Sequence, residues 1–374
     1  MLTNQLDLEE AVAIAVAAFG VAAVFVPAAK RLALRLRVLD TPNERKLHHI
    51  PKARLGGLGV VPGVVAGAIL GLLFLSSETS RWLAKSLVVS GVIFTIGLSD
   101  DFRRQSASLK LAVELAAAFC LVLWVWSPPI SIGSLLVVCL SALWLAGAAN
   151  AMNLSDGMDG LASGIAVLAS AALGTMSYSS GNAEGLILSL ALGAAALAFM
   201  MYNAHPAAIF LGDSGSLTMG FLLGAGALFT TAGALSWHSL DVELLATVYF
   251  VSALTLGVPV MDTLWAIVRR LANHKKIFAP DNGHLHHRLL RSGIDYFSVV
   301  RTIYLLSCLS GAAAVVIYGA PILYYALSLV ITVSLMGLIT RFRLQWFLQK
   351  EKSIGHAEVA AAGTIQKYEE NGKN

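Results

Sequence analysis

Eleven apolar runs, each about as long as a bilayer is thick, leave this chain few ways to fold. They cover roughly 11–29, 57–76, 82–98, 109–127, 132–150, 160–179, 184–202, 215–236, 243–268, 298–317 and 320–340. A helix needs ~17–25 apolar residues to cross the hydrocarbon layer. In lipid, every backbone N–H and C=O must be satisfied within its own segment, which selects helices over irregular chain. The long runs and short polar gaps argue against the short alternating strands of a membrane β-barrel. With 57% hydrophobic and 13% charged residues, the chain departs from the ~45–50% and ~25% of soluble domains. The expected fold is all-α and integral to the membrane, with about eleven transmembrane helices. Residues 1–343 read as a single polytopic domain and 344–374 as a polar C-terminal tail.

Charge gives the orientation. Of the 26 Lys and Arg, all but Arg81 and Lys85 fall in the tail or in connections on one side of the membrane. Basic connections stay cytoplasmic, so the N-terminus is expected outside and the C-terminus inside. Asp7, Glu9 and Glu10 precede the first run, and Lys30 and Arg31 follow it. That order fits an uncleaved first helix better than a signal peptide, which has a basic leader. Cys120, Cys139 and Cys308 lie within apolar runs, with neither metal-ligand nor disulfide spacing. They read as small buried hydrophobes.

Four polar clusters interrupt the hydrocarbon pattern. They are Gly97-Leu98-Ser99-Asp100-Asp101, Asn150 to Gly160, Phe210-Leu211-Gly212-Asp213-Ser214-Gly215-Ser216, and His284-Leu285-His286-His287. An Asp at the centre of a membrane helix costs roughly 2.5–3.5 kcal/mol on insertion scales, and ionisable groups at such depth default to a functional reading. The expected topology sends all four clusters to the cytoplasmic side. A transporter would instead bury acids within interrupted spans, and no internal repeat supports one.

Each cluster carries its own chemistry. Asn150, Asn153, Asp156 and Asp159 recur every third residue, so a helix would align them as one polar stripe. Helix capping accounts for one or two of them, not four. Asp213 sits among Gly and Ser at a helix start, which suits a cap or an anion site equally. Asp100, Asp101, Asp156, Asp159 and Asp213 have few cations in their own loops. Uncompensated carboxylates near a low dielectric repel one another and take up protons. A Mg²⁺ held by one or two of them together with substrate phosphates relieves this, with Mn²⁺ as an alternative cation. His284, His286 and His287 lack the i,i+4 spacing of a zinc helix. Beside Arg288 they suit an anionic ligand. Asp262 reads as a local polar contact, and Glu114 as a buried acid without an assigned role.

Taken together, Asp100-Asp101, Asn150-x-x-Asn153-x-x-Asp156-Gly-x-Asp159-Gly, Phe210-Leu-Gly-Asp213-Ser-Gly-Ser and His284-x-His286-His287 resemble the polyprenyl-phosphate N-acetylhexosamine-1-phosphate transferases, bacterial glycosyltransferase family 4. Arg45-Lys46-x-His48, Arg54-x-Gly-Gly and the histidine motif resemble its WecA/TagO-like type, which uses UDP-N-acetylglucosamine and undecaprenyl phosphate. The resemblance implies Mg²⁺ ligation by Asn153 and Asp213. It implies catalytic roles for Asp100, Asp101 and Asp213, with the Asp pair positioning or activating the lipid phosphate or assisting the metal. It also implies substrate contacts for Asn150, Asp156, Asp159, Lys110, His284, His286, His287, Arg288, Arg45, Lys46, His48 and Arg54. Two positions depart from the pattern. Ala53 stands where a Pro is frequent, and Arg104 stands where the peptidoglycan-precursor branch has Lys. That branch also has a different histidine motif. CDP-alcohol phosphotransferases expect Arg after Asp-Gly-x-x-Ala, a pattern this chain lacks.

The implied activity is transfer of N-acetylhexosamine 1-phosphate from a UDP-sugar to undecaprenyl phosphate at the bacterial inner membrane, the first membrane step of a cell-surface polysaccharide. No nucleic-acid partner is expected, and a homodimer is compatible with the pattern.

Overall fold

The computed structural model of the protein describes residues 6–41, 51–75, 82–127, 131–234, 242–275, 283–343 and 345. It is almost wholly helical. In chain order the helices are α1 (Leu8–Arg35), α2 (Gly57–Phe74), α3 (Trp82–Phe102), α4 (Ala107–Trp126), α5 (Ile132–Ser155), α6 (Leu161–Ser179) and α7 (Ala183–Asn203). These are followed by α8 (Gly212–Ala234), α9 (Val242–Thr255), α10 (Gly257–Ala272), α11 (Leu285–Arg291) and α12 (Tyr296–Tyr318), and by α13 (Ile322–Arg343). Ten of them are individually long and apolar enough to cross a membrane.

The eleventh expected span is not one straight helix. Helices α9 and α10 meet at 102° across Leu256. Pro259 explains the break. It has no N–H for the carbonyl of Thr255, and its ring clashes there in a continuous helix. In the first turn of a new helix that N–H has no intrahelical partner anyway. Helix α10 is amphipathic: Met261, Leu264, Trp265 and Val268 form an exposed apolar row, the pattern of a helix lying in the membrane interface. The break is apolar and carries no acid, unlike the midplane site a transporter would need.

Helix α8 is the buried centre of the bundle. It packs on α3, α5, α2 and α6. Its Gly, Ser, Thr and Ala content lets backbones approach closely, which drives helix association where lipid supplies no hydrophobic gradient. The three cysteines do not meet the buried expectation. Cys120 and Cys139 are exposed on the outside of the bundle and Cys308 is half-buried, because their helices α4, α5 and α12 face outward over much of their surface.

Two short strands, β1 (Leu39–Asp40) and β2 (Lys52–Ala53), pair antiparallel between α1 and α2. This hairpin is strapped to the α7–α8 connection. Phe210 N–H donates to the Ala53 carbonyl (2.8 Å), and Gly56 and Gly57 N–H donate to the carbonyls of Phe210 and Leu211 (3.0 and 2.8 Å). The strap places residues 52–57 directly over the start of α8. At the opposite end of the bundle, Glu184 on α7 accepts from the Trp82 and Leu83 amides (3.2 and 3.4 Å), capping α3 from a distance.

Candidate active site

The site begins with how α8 is started. Its first free amides need acceptors, and Asp101, from the last turn of α3, supplies them. Its carboxylate accepts from Asp213 N–H (2.8 Å), Ser214 N–H (3.1 Å) and Ser214 Oγ (2.6 Å). Gly212 makes this approach feasible. Its φ is +75°, and a Cβ there would lie 2.7 Å from both Asp101 oxygens and from the Arg54 carbonyl. Asp213 is thereby held at the head of α8, 6% exposed.

Two cations reach Asp213 from other parts of the chain. Arg54, just after β2, puts Nη2 at 2.7 Å from Asp213 Oδ1, and approaches Asp101 (3.3 Å) and Asp100 (3.5 Å). Lys110, in the first turn of α4, puts Nζ at 2.5 Å from Asp213 Oδ2 and 3.1 Å from Asp100 Oδ1. Burial alone would lower the affinity of Arg54 for its proton, but Asp213 and Asp101 outweigh this and hold its pKa above the ordinary value. Asn153 completes the cluster. Its Nδ2 lies 3.3 Å from Asp213 Oδ2, and its Oδ1 accepts from Ser216 Oγ (3.0 Å). The loop of Asp213 still supplies no cation of its own. Its partners are local in space but remote in sequence.

The expected stripe of Asn150, Asn153, Asp156 and Asp159 is broken by the end of α5. Only the two asparagines lie within the helix; Asp156 caps it and Asp159 lies beyond, in the turn to α6. Asn150 hydrogen-bonds Glu114 on α4, giving that buried acid a partner. The Asp156 carboxyl makes no hydrogen bond or ion pair among the described residues, although its amide donates to the Asn153 carbonyl (3.2 Å). Burial, then the charge of Asp213, raises its pKa well above the usual carboxylate range.

Asp159 belongs to a second cluster. It accepts from His205 Nδ1 and Ala207 N–H (both 2.9 Å), with Lys52 Nζ at 3.7 Å. Its own amide donates to Tyr296 Oη (2.5 Å). Burial opposes ionisation, but the His205 and Ala207 hydrogen bonds and Lys52 keep its pKa below the ordinary value. Here Asp159 ties α6, the α7–α8 connection and α12 together. His205, Tyr296 and Lys52 were not singled out in the sequence. The dipeptide His205-Pro206 after a span was the available signal.

The histidine motif forms a third group. His284 Nδ1 lies 3.0 Å from Asp262 on α10, and Asp262 also accepts from the Leu285 amide (2.9 Å). His286 is 4% exposed, and its Nε2 has no hydrogen-bond partner among the described residues. Its ring presses on Gly157, where no Cβ would fit. The histidine and Asn150–Asp159 segments thus meet through His286. Arg288 is exposed on α11. Arg45, Lys46 and His48 lie outside the described residues.

Burial, then repulsion from His287 and His284, lowers the His286 pKa to about 3. A folded pKa below the ~6.5 of free imidazole means the unfolded chain binds more protons between those values, so stability falls with acidity. The thermal midpoint of the wild type should drop between pH 7 and pH 5 more than that of His286→Phe. Parallel pH profiles would show that His286 carries none of the effect.

The fold and this arrangement define a polytopic helical membrane protein with acids, amides and cations gathered at one end of its bundle. Residues 82–231 match the family model described as glycosyl transferase family 4. A Bacillus subtilis (strain 168) protein named probable undecaprenyl-phosphate N-acetylglucosaminyl 1-phosphate transferase is 33% identical over 308 residues, covering 80% of this chain and 82% of its own. Decaprenyl-phosphate N-acetylglucosaminephosphotransferase of Mycobacterium tuberculosis (strain ATCC 25618 / H37Rv) is 35% identical over 307 residues, covering 74% of each chain. Undecaprenyl-phosphate alpha-N-acetylglucosaminyl 1-phosphate transferase of Escherichia coli (strain K12) is 29% identical over 290 residues, 72% of this chain and 74% of its own. The chain belongs to glycosyl transferase family 4, in the group of these polyprenyl-phosphate N-acetylglucosaminyl 1-phosphate transferases.

Proposed function

We propose that this protein transfers N-acetylglucosamine 1-phosphate from UDP-N-acetylglucosamine to undecaprenyl phosphate, at the cytoplasmic face of a bacterial inner membrane. The observation that carries this reading is the convergence of Asp100, Asp213 and Asn153 with Arg54 and Lys110 at helix ends. There a soluble diphosphate can meet a phosphate whose apolar tail stays in lipid. The names of the relatives support the polyprenyl phosphate acceptor and the N-acetylglucosamine group. The bias of Lys and Arg supports the cytoplasmic placement.

In this reading an oxygen of the lipid phosphate attacks the sugar-bearing phosphorus. The bond from that phosphorus to the UMP oxygen breaks, UMP leaves and a lipid-linked sugar diphosphate remains. A phosphate monoester, with its second pKa near ~6, is largely ionised at neutral pH. No strong base is demanded, and catalysis rests on positioning and charge stabilisation. Arg54 and Lys110 would turn from Asp213 towards the phosphate oxygens. Asp101 would fix the start of α8, and Asp100 would keep Lys110 in place.

The donor chemistry suits a divalent cation bound together with substrate phosphates, since among the described residues no three His, Cys, Asp or Glu side chains are gathered to hold one alone. Three carboxylates, Asp100, Asp101 and Asp213, share the positive charge of Arg54 and Lys110, and the Asp156 carboxyl beside them has no ion-pair partner among the described residues. Their hard oxygen donors suit Mg²⁺, which is commonly bound by one or two carboxylates plus substrate phosphates rather than by an all-protein cage. Asp213 and Asn153 would hold it, and bound there it would offset charge on the diphosphate.

The test is direct. Purified protein with Mg²⁺, undecaprenyl phosphate and UDP-N-acetylglucosamine should release UMP, and chelation should stop it. UDP-sugars lacking the N-acetyl group should react more slowly. No UMP release with any UDP-sugar would overturn the assignment.

A further inference from the structure

An apolar space lies apart from the cluster of Asp100, Asp101 and Asp213. Helices α1, α7 and α13 enclose a cleft of about 1440 Å³, walled by side chains such as Phe19, Leu197 and Leu338. Small-molecule sites usually occupy ~300–1,000 Å³, so this cleft is large. One end is basic: Lys30, Arg31, Arg341 and Arg343 line it. Arg343 Nη2 donates to the Pro206 carbonyl (3.1 Å), which fixes that end as the one bearing the candidate active site. Arg31 and Arg341 are exposed and have no hydrogen-bond or ion-pair partner among the described residues.

We propose that this cleft binds an anionic phospholipid, its phosphate on Arg31 and Arg341 and its acyl chains along α7 and α13.

Three features select this occupant. Charge complementarity is the first, because basic pockets between membrane helices on the cytoplasmic side hold anionic headgroups. The second is the apolar wall below the basic end. It covers about 12 Å of helix on α7 (Ala194 to Tyr202) and on α13 (Leu335 to Arg343), and about 28 Å on α1 (Ala15 to Leu34). Set against the ~30 Å hydrocarbon layer, that is long enough to hold acyl chains beneath a headgroup. The third is position. The basic end abuts the turn in which Pro206 lies between His205 and Ala207, the two residues that hold Asp159. A bound headgroup therefore anchors α13 against that turn.

The experiment uses the full-length protein. After delipidation in detergent it is titrated with phosphatidylglycerol or phosphatidylcholine, following the thermal midpoint and the adducts seen by native mass spectrometry. Phosphatidylglycerol should raise the midpoint and form a saturable adduct, and phosphatidylcholine should do neither. In the double variant Arg31→Gln/Arg341→Gln, adduct occupancy should fall several-fold, and Leu338→Trp, which fills the apolar wall, should lower it independently. Equal response to the two lipids would overturn the proposal even if neither variant folds. So would displacement of phosphatidylglycerol by undecaprenyl phosphate, which would make the cleft an acceptor site. A change in the monomer–dimer ratio with unaltered lipid retention would also overturn it, marking the face as a contact between copies.

Discussion

Asp213→Ala should lower turnover by at least about 10²–10³-fold, the loss seen when one preorganised charge-stabilising group is removed from an active site, while the protein stays folded. The fold should survive because Arg54 keeps Asp100 and Asp101 within 3.5 Å and Lys110 keeps Asp100 at 3.1 Å. Neither cation is stranded without an acid. The signs of the kinetic changes separate two roles for Asp213. If it only restrains Arg54 and Lys110, its removal frees both for the diphosphate, and KM falls with kcat. If it holds the cation with Asn153, the Mg²⁺ concentration needed for half-maximal rate rises. UMP release measured across Mg²⁺ and UDP-sugar concentrations reads both. Wild-type rates in the variant would remove Asp213 from the chemistry.

Asp101→Asn should behave differently, costing stability as well as rate. The wild-type carboxylate accepts three hydrogen bonds at the head of α8 and faces Arg54 Nε. An amide offers one acceptor oxygen and turns an NH₂ towards donors. Leaving buried donors unsatisfied costs about 1–3 kcal/mol, more where a charged acceptor is lost. A fall of about 2–3 kcal/mol is expected, read as a lowered thermal or denaturant midpoint. Turnover should fall with it, because the Asp213 amide is one of the three donors. Asp100→Asn should cost less stability, since Asp100 accepts one backbone amide, from Gln105 (2.9 Å), and otherwise meets cations. Wild-type stability with lost turnover in Asp101→Asn would return Asp101 to the reacting groups.

Much of this was legible in the chain. The spans follow from hydrocarbon thickness, and the four polar clusters stand out because acids are costly beside lipid. What stayed hidden depends on contacts between distant segments. Arg54 lies 159 residues from Asp213, and Lys110 lies 103 away, so counting cations loop by loop assigned neither to Asp213. The stripe from Asn150 to Asp159 assumed a helix running past Ser155, whereas α5 ends there and the turn to α6 gives Asp159 a different set of partners. The bend in the ninth span was readable from Gly257-Val258-Pro259, but hydropathy averages over such a signal. His205 was missed because one imidazole after a long apolar run resembles an ordinary span boundary.

The bond between Asp101 and the head of α8 has a consequence for biosynthesis. The acid leaves the ribosome 112 residues before the amide it will accept. Until α8 threads into the bilayer, the carboxylate must remain hydrated at the rim of its own helix, and the newly inserted α8 in turn lacks acceptors for its leading amides until it finds α3. Each half is a poor membrane citizen without the other, so completing the cluster of acids and cations and seating the central helix become one event. A nascent chain stalled before α8 would show its unfinished state as a water-exposed acid at the end of α3.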